Sequence, residues 1–311
     1  MKPTTSDFDR GRRWALVLAA GEGTRLRSLT TTRQGVIVPK QYCSLNGGAS
    51  LLTGALERAA RVVPRDRTVA IVAGQHRRWW DRELAQLPSP NVIVQPENRG
   101  TAAGVLLPLL SILERDPEAR VAILPSDHFV TDERVLAAEL GRAFEALEHD
   151  PARVVLLGID PDAADPDYGW IVPGPPRRDG LHAVDAFVEK PQPPLAAELR
   201  GRGGVWNSFI LVASGPALLR LYAERLPALL DAFDDRGSCT LEQLYALLPV
   251  WDFSRDLMQG SEERLSLLRV PPCGWSDLGT PERVAGCVGR RSWTPLRRSA
   301  PLDLALALAA F

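Results

Sequence analysis

Several short segments of this 311-residue chain carry residue types suited to handling phosphate. An apolar run ending at Ala20 is followed by Gly21-Glu22-Gly23-Thr24-Arg25. Glycines after a strand let the backbone approach a ligand closely, and consecutive N–H groups can cradle phosphate. An arginine immediately after Gly-x-Gly-Thr adds a guanidinium fork, so the set suggests a triphosphate held by amides and Arg25. A tight strand-to-helix turn would also use these glycines. The dinucleotide fingerprint fails, because Leu26 stands where its third glycine belongs, and no Gly-Lys-Ser/Thr follows to make a Walker loop.

Lysine is rare: of 37 basic residues only Lys2, Lys40 and Lys190 are lysines. A compact, flexible point charge differs from a planar fork, so Lys40 in Pro39-Lys40-Gln41 and Lys190 in Phe187–Pro191 invite a reason specific to an amine. Glu189 and Lys190 are adjacent on a strand end, where side chains alternate, which predicts that they face opposite ways and do not pair. Two aspartates sit at element edges: Asp127 in Leu124–His128, and Asp277 in the turn of Gly274–Glu282 before a helix. Magnesium takes carboxylate oxygen together with substrate phosphates, so both aspartates could converge on one metal. Capping the next helix is the plain alternative for Asp127, and packing is that for His128. Gln95–Gly104 presents Glu97, Asn98 and Arg99 where ligands bind in open α/β sheets, and Asn98 or Thr101 would also cap the following helix.

The elements that must position these residues read as alternating strands and helices. Strands are predicted at Trp14–Ala20, Thr68–Ala73, Asn91–Gln95, Val121–Leu124 and Val154–Ile159, and helices at Ser50–Val63, Arg77–Leu87, Thr101–Arg115 and Glu133–Glu148. Near-continuous apolar strands separated by helices imply βαβ units and a parallel, doubly wound sheet. After Asp160 the texture changes. Trp170–Val172, His182–Val188, Trp206–Ala213 and Leu265–Val270 are strand-like, with helices at Pro216–Phe233 and Leu241–Leu248. This half reads as added strands and a smaller substrate-facing lid on the same sheet. The expected organisation is a flexible N-terminus over residues 1–13, one domain over 14–289 and a tail over 290–311. Within the domain a nucleotide half spans about 14–160 and a sugar-phosphate half about 161–289.

Composition narrows the function classes. A formal net charge of -1 argues against an extended surface for nucleic acid or anionic membrane. Four cysteines in no metal-type pairing read as neither a disulfide framework nor a zinc site. The polar N-terminus has no signal-peptide core and no apolar run reaches a membrane span, so the expected compartment is the cytoplasm.

Taken in order, Gly-x-Gly-Thr-Arg-Leu, Pro-Lys-Gln, Pro-Glu-Asn-Arg-Gly-Thr-Ala, Pro-Ser-Asp-His, Tyr-Gly-Trp-Ile, Phe-Val-Glu-Lys-Pro, Trp-Asn-Ser and Trp-Ser-Asp-Leu-Gly resemble the sugar-1-phosphate nucleotidyltransferases. The guanylyltransferases acting on mannose 1-phosphate are the nearest in pattern. The resemblance runs from about Ala15 to Pro281. It implies a Rossmann-like α/β fold of the nucleotide-diphospho-sugar transferase type, with a mixed, mainly parallel sheet and helices on both faces. It also implies Mg²⁺ and two substrates, a nucleoside triphosphate and a sugar 1-phosphate, with GTP and α-D-mannose 1-phosphate as the leading pair. Ala20, Gly21, Gly23, Thr24 and Arg25 would hold the triphosphate, with Arg25 and Lys40 on the departing pyrophosphate. Glu97, Asn98, Gly100 and Thr101 would lie by the base or ribose. Gly169, Glu189 and Asn207 would hold sugar hydroxyls, Lys190 the sugar phosphate, and Asp127 and Asp277 the magnesium. The pattern departs where Trp206-Asn207-Ser208 continues with Phe209 in place of the family's usual glycine. Alternatives are a thymidylyl- or cytidylyltransferase, or a non-catalytic subunit binding a nucleotide sugar; a homodimer is left open. A mere binder could lose either aspartate or either lysine, and all four are kept.

Overall fold

A computed structural model describes residues 11–288, except 33, 46, 235, 236 and 238, together with residues 297 and 298. Most of the expected tail over 290–311 and most of the expected flexible N-terminus fall outside the described residues. The strands are β1 (Arg13–Ala19), β2 (Cys43–Ser44), β3 (Thr68–Ala73), β4 (Val92–Gln95), β5 (Arg120–Pro125), β6 (Val154–Ile159), β7 (Gly169–Pro176), β8 (His182–Glu189), β9 (Val205–Ser214), β10 (Leu265–Val270) and β11 (Arg297–Arg298). Arg13 thus already belongs to the sheet. Nine strands form one mixed sheet in the order β4-β3-β1-β5-β9-β6-β10-β8-β7, and β2 pairs with β11 separately.

Parallel pairings of β1 with β3 and β5, β3 with β4, and β6 with β10 point the carboxyl ends of these strands to one edge. Strand β9 runs antiparallel between β5 and β6, so its beginning lies at that same edge. This is how Asn207, early in β9, comes to pair with Gly158, late in β6. The β7–β8 hairpin curls back onto β9, setting Gly169 opposite Glu189 and Trp170 opposite Trp206. Strands β7, β8 and β9 are therefore part of the one sheet.

Alternation along β1 divides the core. Trp14 and Leu16 enter one buried cluster with the helix Gly100–Arg115, while Ala15, Val17 and Ala19 enter another with Leu51–Ala60 and Glu133–His149. Helix starts use ordinary capping: Ser50 Oγ accepts from Thr53 N at 3.0 Å, and Asp132 Oδ1 from Arg134 N at 3.0 Å. Asp132 caps that helix, which leaves Asp127 free of a capping role. The single helix expected over Pro216–Phe233 is two, Gly215–Arg225 and Pro227–Asp234. Pro227 has no N–H to donate and its ring disfavours helical geometry at Leu226. The helix Pro193–Gly201 and the wide helical turn Phe253–Met258 were not expected. Both open on short, proline-bearing or mixed sequence with no sustained period for a pattern to catch.

Strand β6 carries a register irregularity between Leu156 and Gly158, just where Asn207 is presented. A Cβ on Gly158 would sit 2.5 Å from Val205 Cγ2 and 2.6 Å from Leu267 Cδ1. Gly158→Ala is therefore expected to overpack the sheet, costing about 1–3 kcal/mol. A thermal melt should show a midpoint lower by several degrees; an unchanged melt would contradict this packing.

Candidate functional site

The phosphate-type loop leaves β1 at Ala19. Gly23 takes φ +60°, and a Cβ there would meet Lys40 Cβ and N at 3.0 Å. The glycine is required because the loop packs directly on the backbone of Lys40, in a conformation L side chains avoid. Gln41 completes the brace: its Nε2 donates to the carbonyls of Ala19 at 3.0 Å and Gly21 at 2.8 Å, and Tyr42 OH donates to Ala19 at 3.2 Å. Gly21, Thr24 and Arg25 remain exposed on the open side, and Arg25 Nη1 lies 3.9 Å from Asp167 Oδ2.

Lys40 is only 6% exposed. Its Nζ donates to the backbone carbonyl of Asp277 and lies 2.9 Å from Asp127 Oδ2. Two segments far apart in sequence meet here, joined by an antiparallel bridge between Phe129 and Ser276. Burial opposes ionisation of Asp127, but Lys40, together with His128 and hydrogen bonds, holds the carboxyl below its usual range. His128 is buried; its Nδ1 accepts from Trp275 Nε1 at 3.3 Å, and burial pushes its pKa down to about 4, so the ring is neutral. The carboxylate of Asp277 turns to other partners, accepting from Tyr168 OH at 2.8 Å, Gly279 N at 3.0 Å and Arg283 Nη1 at 3.0 Å. Burial resists its ionisation too, and this ring of donors prevails.

Beside the glycine loop lies a cavity of about 100 Å³, walled by Ala20, Gly21, Asn98, Gly100 and Thr101 and floored by Gln95. Gly100 takes φ +84°, and a Cβ on it would lie 2.1 Å from the carbonyl of Trp251. That carbonyl accepts from Ala102 N at 3.1 Å, while Thr101 Oγ1 accepts from Phe253 N at 2.7 Å. Thr101 is thus spent on joining two segments and does not cap the helix. Asn98 Oδ1 accepts from Gly100 N at 3.0 Å. Glu97 stands outside the cavity, exposed and paired with Arg99 at 3.0 Å. Gln95 is 3% exposed and its Oε1 has no partner, so a buried acceptor faces the cavity.

On the other side, Gly169, Glu189 and Asn207 converge. A Cβ on Gly169 would lie 2.5 Å from Glu189 Oε2 and 3.2 Å from Asn207 Cβ. Asn207 Oδ1 accepts from Phe209 N at 3.1 Å, which aims its amide toward Ser254 Oγ at 3.4 Å. The expectation that Glu189 and Lys190 would diverge is corrected: Lys190 Nζ lies 2.7 Å from Glu189 Oε1. Strand alternation ends at Glu189, and Lys190 takes φ +48°, which swings its side chain back over its neighbour. Burial raises the pKa of Glu189, with Lys190 pulling against it. Among the described residues, three non-glycines have positive φ: Lys190, Phe209 (+58°) and Leu278 (+50°). Each lies within two residues of Glu189, Asn207 or Asp277.

The structure therefore brings the expected residues to one sheet edge, with Glu97 turned out of the cavity there. Sequence reading passed over Gln41, Gln95, Tyr168 and Arg283. Gln41 and Gln95 stood inside noted motifs, and a buried amide next to a glycine loop is a signal that could have been used. Arg283 had none, since a helical arginine looks like any solvated one. Gln41→Leu should leave the fold intact but free the loop carbonyls, a loss of two hydrogen bonds worth about 1–3 kcal/mol. Titration calorimetry should show nucleotide affinity falling roughly tenfold; unchanged affinity would remove the brace from the site. Gly169→Ala should displace Glu189 and weaken sugar-phosphate binding while sparing the nucleotide, because overpacking by one methyl costs about 1–3 kcal/mol at that contact alone. Equal loss of both ligands would show general damage instead.

Known proteins share this arrangement of sequence and fold. The model of the nucleotidyl transferase family matches residues 14–285. A xanthan biosynthesis protein, XanB, of Xanthomonas campestris pv. campestris is 30% identical over 221 residues, covering 70% of this chain and 45% of that protein. A mannose-1-phosphate guanylyltransferase of Escherichia coli is 28% identical over 291 residues, covering 86% of this chain and 58% of the relative. The chain thus spans about half the length of the curated relatives it matches. A crystal structure from Thermus thermophilus, described as a mannose-1-phosphate geranyltransferase, superposes with a TM-score of 0.76 at 30% identity, covering 86% of this chain and 76% of the other. With the family model spanning the glycine loop, both aspartates and both site lysines, the chain belongs to the nucleotidyl transferase family.

Proposed function

We propose that this protein condenses a nucleoside triphosphate with a sugar 1-phosphate, releasing pyrophosphate, and that GTP and α-D-mannose 1-phosphate are its pair. The observation that carries the reaction type is the meeting of Lys40 with Asp127 and Asp277 between two unlike recesses. One recess is walled by the glycine loop, the other by Gly169, Glu189 and Asn207. The choice of guanine and mannose is supported by the names of two relatives, at 24% and 28% identity. In this reading the base enters the cavity over Gln95, whose unpartnered amide oxygen awaits an N–H. The triphosphate follows the glycine loop toward Arg25 and Lys40. The sugar lies on Glu189 and Asn207, with its phosphate drawing Lys190 off Glu189.

No protein nucleophile is needed. An oxygen of the sugar phosphate attacks the α-phosphorus, the bond to the β-phosphate oxygen breaks, and pyrophosphate leaves with that electron pair. Two anions must approach, so the contribution of the chain is alignment and charge neutralisation. Among the described residues, Asp127, 39% exposed, has no cation within hydrogen-bond distance of Oδ1, and Asp277 Oδ2 accepts from Arg283 alone. Both are hard oxygen donors, and this set fits magnesium arriving with substrate phosphates. When bound, the ion would supply charge for the phosphates that meet there.

The test is pyrophosphate release across five nucleotides and several sugar 1-phosphates, with GTP and mannose 1-phosphate expected to give the highest kcat/KM. Asp277→Asn should keep the fold and lose most turnover. Lys40→Arg and Lys190→Arg should each lose roughly 10²–10³ in rate, as for other charge-stabilising donors. Lys190→Arg should raise KM for the sugar phosphate more than for the nucleotide, and Lys40→Arg the reverse. Variants with full kcat/KM for both substrates would leave these lysines without a role.

A further inference from the structure

Asp277 is held by a chain of contacts that starts outside the substrate recesses. Its Oδ1 accepts from three donors, Tyr168 OH, Gly279 N and Arg283 Nη1, whereas among the described residues its Oδ2 accepts only from Arg283 Nη1, at 3.0 Å. One guanidinium nitrogen thus straddles both oxygens. The other arm of Arg283, Nη2, is paired with Asp165 Oδ2, and the guanidinium carbon lies 4.2 Å from the centre of the Tyr168 ring. Asp165 is itself fixed, its carbonyl accepting from Trp170 Nε1 at 2.9 Å and its Oδ1 from Asp167 N at 2.9 Å. The side chains of Arg283 and Asp277 are only 15% and 17% exposed, so the pairing is not one of the screened surface ion pairs that contribute little.

We propose that Arg283 is a positioning residue that fixes Asp277 so that Oδ2 is the oxygen presented to a divalent cation, with Asp165 as its anchor. This rests on the functional reading above. Among the described residues no group of three His, Cys, Asp or Glu side chains could hold a metal by itself. A cation at this edge must then be shared between the few protein carboxylates and the phosphates, and the aim of each carboxylate counts. A free aspartate rotates about two bonds. Here Oδ1 is saturated and a single guanidinium nitrogen bridges both oxygens, which leaves one lone-pair direction open on Oδ2. The positive charge of Arg283 does not repel the incoming cation outright, because Asp165 and Asp277 flank it. Outer partners of this kind tune metal affinity without touching the metal.

The experiment measures Mn²⁺ binding to the protein–GTP complex by the electron paramagnetic resonance of free Mn²⁺, alongside steady-state kinetics with GTP and mannose 1-phosphate. Arg283→Met should weaken Mn²⁺ binding about tenfold and lower kcat by a similar factor, the scale of lost outer-sphere contacts, while KM for the sugar phosphate stays put. Arg283→Lys should restore part of the affinity, having charge without the fork. Asp165→Asn should shift both quantities in the same direction as Arg283→Met, and the double variant should be no worse than Arg283→Met alone, because the two act as one unit. Unchanged or tighter Mn²⁺ binding in Arg283→Met, or additive losses in the double variant, would overturn the proposal. If Arg283→Met melts at a much lower temperature than the parent, the decision passes to Asp165→Asn and Arg283→Lys, whose unchanged Mn²⁺ binding would equally overturn it. A parent protein that transfers no nucleotide to any sugar phosphate sinks the functional reading, whereas an active parent with unaffected variants sinks only the role of Arg283.

Discussion

Burying a lysine ammonium is unfavourable unless counter-charge and hydrogen bonds meet it. Lys40 meets that condition with one carboxylate, Asp127, and one carbonyl, that of Asp277. The requirement ties together three stretches of chain that no local interaction would join: the segment after the glycine loop, the end of β5, and the turn before the helix Pro281–Val288. The Phe129–Ser276 bridge holds the second and third of these together from the backbone side. Gly23 and Gln41 then fix the glycine loop against the same lysine. Much of the candidate site is thus arranged around one buried charge.

Around that charge the backbone is held in conformations it would not choose alone. Lys190, Phe209 and Leu278 each sit in the left-handed region, at a cost of about 1–2 kcal/mol apiece for an L residue. The surrounding contacts make up for it. Phe209 donates its N–H to Asn207 and stacks obliquely with Phe253 at 5.5 Å. Leu278 is 1% exposed in a small apolar cluster with Leu26, Leu45, Leu51 and Val284. Strain of this sort gathers where side-chain aim matters more than stability. A glycine in place of Phe209 would adopt the same φ without strain, so the phenylalanine trades ease of folding for a packed wall beside Asn207.

The side lined by Gly169, Glu189 and Asn207 is supported by aromatic packing. Tyr168 stacks on Trp206 at 4.3 Å and lies 5.8 Å from Trp275, which in turn packs edge-on to His128 at 5.2 Å. These rings run from the β7–β9 contact to the residue next to Asp127. Rigid rings with few rotatable bonds hold a site with little loss of side-chain entropy. Packing and polar contacts therefore run from one recess toward the other.

The sequence by itself determined the βαβ frame, because strands buried on both faces must be apolar throughout and the helices between them amphipathic; Thr68–Ala73, Val154–Ile159 and Leu265–Val270 match the structure residue for residue. It also showed which residue types stand in the candidate site, because glycine, lysine and aspartate are legible one by one along the chain. Tertiary structure alone decided what those residues do to one another. That Lys190 folds back on Glu189 follows from a single backbone angle, and alternation gives no warning of it. That Gln95 is a buried orphan while Glu97 is solvated is likewise invisible along the chain, where the two stand only two residues apart. That Arg283 grips Asp277 requires Asp165 and Tyr168 to meet the helix Pro281–Val288 from positions more than a hundred residues away. Local pattern encodes burial and period, which are properties of neighbours along the chain; pairing across such separations is settled only when the sheet has closed.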